Sequence, residues 1–364
     1  MTFGVGIVGV GDVAQRDYLP ELHRLGDRAA LVVACGRRPE RARAVAGQFG
    51  CRWTTSYGDV VEAPDVQIVL NLTPGNVHAA VTLAALRAGK SVYTEKPLAQ
   101  SADDVATIAQ EAERRGAVVV AAPCILLFPQ VRRLQALLED GVLGAVHSAR
   151  GLAFGGVPPW PGFLSDPQPY VVAESGPLLD MAVYPLHALT GLLGPVKRVV
   201  AFSSRTRDSF VVDEGPYAGR RVRVDVDDDW HLLLEFARGT LAQVQANFSA
   251  SAALAPELEL QGERGVAGIS LLDVSAPIQL VVDGEERTIR VDHVRESGPD
   301  HLLGVEHLVD CLEHGREPVL SIERAAHVLE ILFAAQRSAR EGRAVDVGSN
   351  FAQLKVPAAQ EASA

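Results

Sequence analysis

Cysteine is scarce in this chain and is not arranged to bind anything. The four cysteines, Cys35, Cys51, Cys124 and Cys311, form no CxxC pair and no Cys/His ligand spacing. No metal site is therefore expected, and the thiols read as buried side chains in a reducing cytoplasm. No Lys/Arg block stands out in a chain of net charge −11, so the electrostatic footprint of nucleic-acid or anionic-membrane binding is missing. No apolar run approaches a membrane span, and the first residues enter a strand-like run without a basic leader or cleavage site, so neither a membrane partner nor export is expected. Internal repeats and low-complexity tracts are also missing.

What is present suffices for sizeable cores. Of 364 residues, 48% are hydrophobic and 22% charged, which excludes bulk disorder and favours two domains. Over residues 1–122, short β-type runs (3–8, 30–35, 68–72, 91–94 and 118–121) alternate with helical periodicity at 38–49, 77–88 and 102–115. That alternation predicts an α/β Rossmann domain with a doubly wound parallel sheet. Residues 123–345 read instead as an α+β domain with a large, mostly antiparallel open sheet. Its strands are expected at 198–203, 231–236, 240–248, 257–261 and 279–282, and its helices at 129–139, 176–193 and 321–341, the last able to pack back on the first domain. Residues 346–364 form a tail, small and polar from Val356 and read as disordered.

The turn Gly9-Val10-Gly11-Asp12-Val13-Ala14 follows the first strand and opens a helix. In that context it predicts a dinucleotide seat. Gly9 permits the tight turn, Gly11 lets backbone amides near Asp12 and Val13 approach the pyrophosphate, and the helix N-terminus supplies unpaired N–H groups. At the end of the second strand, where an acid would bind the ribose 2′-hydroxyl of NAD, the sequence reads Cys35-Gly36-Arg37-Arg38-Pro39-Glu40-Arg41. Arg37, Arg38 and Arg41 suit a 2′-phosphate, favouring NADP with NAD as the alternative cofactor. A solvated helix start is the competing reading of these arginines.

Two further stretches carry a resemblance. One is Leu72-Thr73-Pro74-Gly75-Asn76-Val77-His78 with Ala88-Gly89-Lys90 and Glu95-Lys96-Pro97; the other is Ser175-Gly176-Pro177-Leu178-Leu179-Asp180-Met181-Ala182-Val183-Tyr184 with Leu193-Gly194-Pro195-Val196. With the glycine turn, they resemble the glucose-fructose oxidoreductase / inositol dehydrogenase / rhizopine catabolism (Gfo/Idh/MocA) family across nearly the whole chain. The resemblance implies an oxidoreductase that exchanges hydride between a nicotinamide and a carbinol or ketone of a sugar, cyclitol or related polyol. It further implies that Leu72, Thr73, Pro74, Asn76, His78, Glu95 and Lys96 serve the cofactor site and that Lys96, in a Lys-Pro bond often cis in the family, reaches the substrate hydroxyl. A homodimer or homotetramer through the C-terminal sheet is expected on the same ground.

The second stretch departs from the commonest family pattern, which has Asp followed four residues later by His. Here Tyr184 follows Asp180, resembling a branch in which tyrosine is the acid/base; on one helix the two would share a face. The catalytic candidates are thus Lys96, Asp180 and Tyr184. Substrate candidates add Trp160 in the loop Val157-Pro158-Pro159-Trp160-Pro161-Gly162, His187 one turn beyond Tyr184, and Asn247 near a strand end. Trp160 suits a core or interface aromatic as well, and His187 a packed histidine. Glu174-Ser175 stands where relatives carry Gly-Gly. Two other functions fit the fold: an NAD-dependent glycosidase working by transient oxidation, and a non-catalytic cofactor-sensing regulator. Lys96, Asp180 and Tyr184 together speak against the regulator.

Overall fold

Two sets of strands with different burial patterns organise the chain. The computed structural model describes residues 2–172 and 175–352; Glu174 and the sequence beyond 352 lie outside the described residues. The chain forms two compact units, Met1–Cys124 with His301–Ala326, and Ile125–Asp300 with His327–Ala364.

In the first unit, β1 (Phe3–Val8), β2 (Ala29–Cys35), β3 (Arg52–Thr54), β4 (Ile68–Asn71), β5 (Ser91–Thr94) and β6 (Val119–Ala121) form a parallel sheet in the order β3-β2-β1-β4-β5-β6. β4 and β5 are buried at every position, which is why parallel strands read as continuous apolar runs. Helices α1 (Pro39–Phe49), α2 (Tyr57–Glu62), α3 (Gly75–Arg87) and α4 (Ala102–Arg115) make the crossovers. α4 starts where the Asp104 amide donates to Ser101 Oγ at 3.1 Å and stops at Gly116 in the left-handed region. The helix Leu302–His314, with no counterpart in the sequence reading, belongs to this unit. Arg24 reaches Glu306 at 2.7 Å, Arg28 pairs with both Asp310 and Glu313, and Gly304 leaves room for the Tyr93 ring, which a Cβ would meet at 2.4 Å.

The second unit contains α5 (Pro129–Glu139) and a nine-stranded sheet in the order β16-β15-β14-β13-β7-β12-β11-β8-β17. Its strands are β7 (Val146–Phe154), β8 (Val196–Ser204), β11 (Asp229–Phe236), β12 (Leu241–Asn247), β13 (Leu258–Gly262), β14 (Gly265–Ile269), β15 (Ile278–Val282), β16 (Glu285–Ile289) and β17 (Val345–Asp346). A separate ribbon pairs β9 (Ser209–Val211) with β10 (Arg221–Arg223). All neighbours in the large sheet run antiparallel except β7 and β12. β7 is hard to read from sequence because it opens with His147 and Ser148 and its buried positions are the small Ala149, Gly151 and Ala153 rather than large apolar residues.

The single helix expected over 176–193 is two, α6 (Pro177–Asp180) and α7 (Val183–Leu193). Pro185 has no N–H to offer the carbonyl of Met181. The Met181 and Ala182 amides both turn back to Pro177 O, and the Tyr184 amide bonds Met181 O at 3.2 Å. α7 is buried on nearly every side and packs on β7, where Gly151 makes room for Pro185. The exposed side of β8 is covered: Ala201 N–H donates to Ser338 Oγ and Val196 N–H to His327 Nε2, each at 2.9 Å, from the helix Ile322–Glu341. Among the described residues no helix is long and apolar enough to cross a membrane. Burial pushes the Cys35 and Cys311 thiols up to about 11, so both stay protonated and unreactive near neutrality.

Candidate functional site

In a sheet of this order, ligands bind beyond the carboxyl ends of the strands where the order reverses, here between β1 and β4. The glycine turn leaves β1 at that point. Gly9 has φ +101, its amide bonds Cys35 O at 2.9 Å, and a Cβ there would lie 2.5 Å from Leu72 O. Only glycine fits such a backbone against such a neighbour. A Cβ on Gly11 would meet nothing within 4 Å; the space over that residue is open, as a pyrophosphate approached by backbone amides requires. Helix begins at Asp12. The residues present therefore fit a dinucleotide.

After β2, Gly36 packs under Val10 of the turn, where a Cβ would come within 2.5 Å of Val10 Cγ2. Arg37 and Arg38 are exposed at the entry to α1, and Arg41 Nη1 lies 3.4 Å from Asp12 Oδ1. No acidic side chain occupies the end of β2.

The loops after β4 and β5 are tied together by buried polar groups. Leu72 is buried, Thr73 half-buried, and Pro74 and Asn76 exposed. Thr73 Oγ1 donates to Asn71 Oδ1 at 2.6 Å, and the Asn71 amide group donates to His78 O at 2.9 Å and to Thr82 Oγ1 at 3.2 Å. His78 is 1% exposed, and its ring nitrogens lie 2.6 Å from Pro97 O and 2.6 Å from Thr73 O. Burial holds the imidazole below its ordinary value, against the opposing pull of those two carbonyls and of Glu95. His78 is thus a strut between the Thr73 loop and the Lys96 turn. Held neutral, the ring has one N–H and donates to only one of these two carbonyls.

The Lys96–Pro97 peptide is cis and Lys96 is half-buried. Glu95 is buried; its Oε2 accepts the Lys96 amide at 2.9 Å and its Oε1 accepts Tyr18 OH at 2.5 Å. Sequence reading missed Tyr18 and Gly36, whose partners are remote in the chain, and Asn71, whose partners Thr73, His78 and Thr82 are nearby. No local pattern marks them.

In the second unit, Asp180 closes α6 and Tyr184 opens α7, so the shared helical face expected for them is replaced by a helix junction. Both are half-buried, and His187 is buried at 4% exposure. α6 lies against β11 and β12. Asn247, at the end of β12, accepts the Gly155 amide on its carbonyl at 3.1 Å and the Ala250 amide on Oδ1 at 2.9 Å. A Cβ on Gly155 would touch Met181 Sδ at 3.2 Å and Trp160 Nε1 at 3.3 Å. These contacts bring Asn247, Trp160 and the residue after Asp180 into one neighbourhood. Trp160 stacks edge-on with Phe163, Tyr170 and Phe248, with ring centroids 4.9–5.6 Å away, and donates to Gly156 O at 3.3 Å. Its ring is largely engaged in packing.

Among the described residues one grouping has metal-ligand character, Asp310, Glu313 and His314, and Arg28 pairs both of its carboxylates.

Comparison with known proteins agrees with this geometry. Residues 3–122 match the model described as the oxidoreductase family with an NAD-binding Rossmann fold, and residues 131–267 match the GFO/IDH/MocA C-terminal domain. The chain is 34% identical over 195 residues to a dTDP-3,4-didehydro-2,6-dideoxy-alpha-D-glucose 3-reductase of Streptomyces violaceoruber, spanning 54% of this chain and 56% of that one. The similar reductase of Actinomadura kijaniata is matched over 62% of its length. A trans-1,2-dihydrobenzene-1,2-diol dehydrogenase of Mus musculus is 26% identical over 92% of this chain and 96% of its own. A solved levoglucosan dehydrogenase in complex with NADH and levoglucosan has the same fold, with TM-score 0.82 at 22% identity, covering 95% of this chain and 100% of that one. With the turn, the tied loops and both domain models in agreement, the chain belongs to the GFO/IDH/MocA family of oxidoreductases with an NAD-binding Rossmann domain.

Proposed function

We propose that the protein is a dehydrogenase or reductase that uses a nicotinamide dinucleotide, NADP in preference to NAD, on a carbinol or ketone of a sugar, cyclitol or related polyol. The observation that carries the reading is the Lys96 turn. Glu95 and the His78 strut hold it in place, and the glycine turn of the same unit is open over Gly11. The relatives named above take a dTDP-linked sugar, a diol and levoglucosan, which favours the polyol class.

The backbone around Gly11, Asp12 and Val13 would hold the pyrophosphate, and Arg37 and Arg38 the 2′-phosphate. When bound, the nicotinamide supplies the hydride acceptor or donor. Tyr184 moves the hydroxyl proton, Lys96 engages the substrate hydroxyl, and Asp180 orients the substrate hydroxyls. Asn247 and the edge of Trp160 contact the remainder of the substrate.

Assaying aldoses, ketoses and cyclitols with each cofactor, followed through the absorbance of reduced nicotinamide, tests the reading. Turnover of at least one polyol is expected, with kcat/KM for the NADP couple roughly tenfold or more above NAD, the scale of one charge-assisted contact. A clear NAD preference removes the 2′-phosphate role of Arg37 and Arg38; no turnover of any member removes the activity.

A homo-oligomer forms through the outer face of the large sheet. Phe202, Leu233 and Leu241 are 71%, 61% and 59% exposed there, on paired strands where His231 sits opposite Phe202 and Glu235 opposite Leu241. So much apolar surface on adjacent strands is unusual for a monomer. Light scattering after gel filtration is expected to give a dimer or tetramer, and the double substitution Phe202→Arg with Leu233→Arg a monomer. A wild-type monomer at micromolar concentration defeats this assignment.

A further inference from the structure

The helix opening at the glycine turn is not a regular α-helix. Over Ala14–Tyr18 it widens to a π turn, with the Leu19 amide bonded to Ala14 O. The extra residue in that turn alters which side chains face inward. Tyr18 is 0% exposed, and its phenol donates to Glu95 Oε1 at 2.5 Å. Since that uses its single proton, Tyr93 OH, 2.8 Å away, must be the donor to Tyr18. The Tyr93 and His301 rings pack against Tyr18 with centroids 5.8 Å away, and His301 Nδ1 lies 3.9 Å from Glu95 Oε1. The other Glu95 oxygen accepts the Lys96 amide at 2.9 Å. All these groups belong to the first unit.

We propose that Tyr18 is a positioning residue for Lys96: one helix carries the dinucleotide seat at its start and, at its π turn, the hydroxyl that holds Glu95 and through it the lysine turn. Burial and the adjacent Glu95 carboxylate raise the Tyr18 phenol well above its ordinary value, so it remains a donor throughout the working pH range. Without that hydroxyl the Glu95 carboxylate loses its anchor at Oε1. Its charge, one residue from Lys96 in a poorly solvated setting, then shifts relative to the ammonium. The inference rests on Lys96 handling the substrate hydroxyl, as proposed above.

The chain has only four lysines, Lys90, Lys96, Lys197 and Lys355, so Lys96 can be observed directly. Reductively ¹³C-methylated full-length protein, loaded with NADP⁺, gives few lysine signals, and Lys96→Arg identifies the one sought. In Tyr18→Phe the Lys96 signal and its titration midpoint are expected to move while Lys90 and Lys197 stay and NADP⁺ affinity is unchanged. An unmoved Lys96 titration overturns the proposal. If Tyr18→Phe fails to fold, Tyr93→Phe, which removes the donor to Tyr18, is expected to shift the same signal less; no shift there counts equally against it.

Kinetics provide the second arm, with the polyol found active in the panel. Tyr18→Phe is expected to lower kcat roughly tenfold, the scale of one hydrogen bond to a charged group, and to have no further effect in a Lys96→Met background. Equal effects in both backgrounds show that Tyr18 does not act through Lys96. Wild-type kcat in Lys96→Met alone defeats the functional reading instead, and the NMR titration still reports on the lysine.

Discussion

Replacing Tyr184 by phenylalanine is expected to lower kcat by about 10²–10⁴-fold, the range of positioned acid/base catalysis, with dinucleotide affinity nearly intact. The substitution removes one oxygen and keeps the ring in the first turn of α7, where the neighbouring Pro185 is seated over Gly151. Packing should survive, so the loss reads the proton transfer rather than the fold. The substitution leaves every residue of the glycine turn unchanged, so dinucleotide affinity serves as the control. Stopped-flow measurement of the hydride step together with cofactor titration checks both parts. Wild-type-like turnover would remove Tyr184 from the mechanism, and an equal loss of cofactor affinity would point to a structural effect.

The second large effect separates two glycines that look alike in the motif. Gly9→Ala forces a side chain onto a backbone at φ +101 and places its Cβ 2.5 Å from Leu72 O. Left-handed backbone and overpacking together are expected to cost about 3 kcal/mol, seen as a lower melting temperature of the first unit with or without cofactor. Gly11→Ala meets nothing within 4 Å and has no left-handed φ, so its melting temperature without cofactor should match wild type. Its methyl group would instead fill space needed by the pyrophosphate, and dinucleotide affinity should fall roughly 100-fold or more. Calorimetry and cofactor titration of both variants decide the matter. If Gly11→Ala binds as wild type does, the seat is not over Gly11; if Gly9→Ala melts normally, the turn is not held by Leu72.

Much of the first unit was legible because β1, β4, β5 and β6 are almost wholly buried and appear as apolar runs, whereas the exposed β3, Arg52-Trp53-Thr54, gave no such signal. Ser101 and Gly116 bound α4 through local bonds alone. Outward-facing polar residues weakened the signal in the second unit: the core positions of β7 are Ala149, Gly151 and Ala153, too small to mark a strand. Residues 176–193 read as one helix-like stretch, but the chain breaks it between Asp180 and Tyr184, where Pro185 lacks the N–H that would bond Met181 O.

By itself, then, the sequence determined what depends on neighbours in the chain: the parallel α/β alternation, the glycine turn, the arginines after β2, and the motifs around Lys96, Asp180 and Tyr184. Tertiary structure alone decided what depends on groups remote in the chain. It returned the helix Leu302–His314 to the first unit through Arg24 and Arg28, turned His78 into a strut, and engaged Trp160 in an aromatic cluster. It also set Tyr18 on Glu95. The physical reason is the same in each case: a buried polar or aromatic group must find its partner wherever the fold brings one, and local pattern carries no record of that partner.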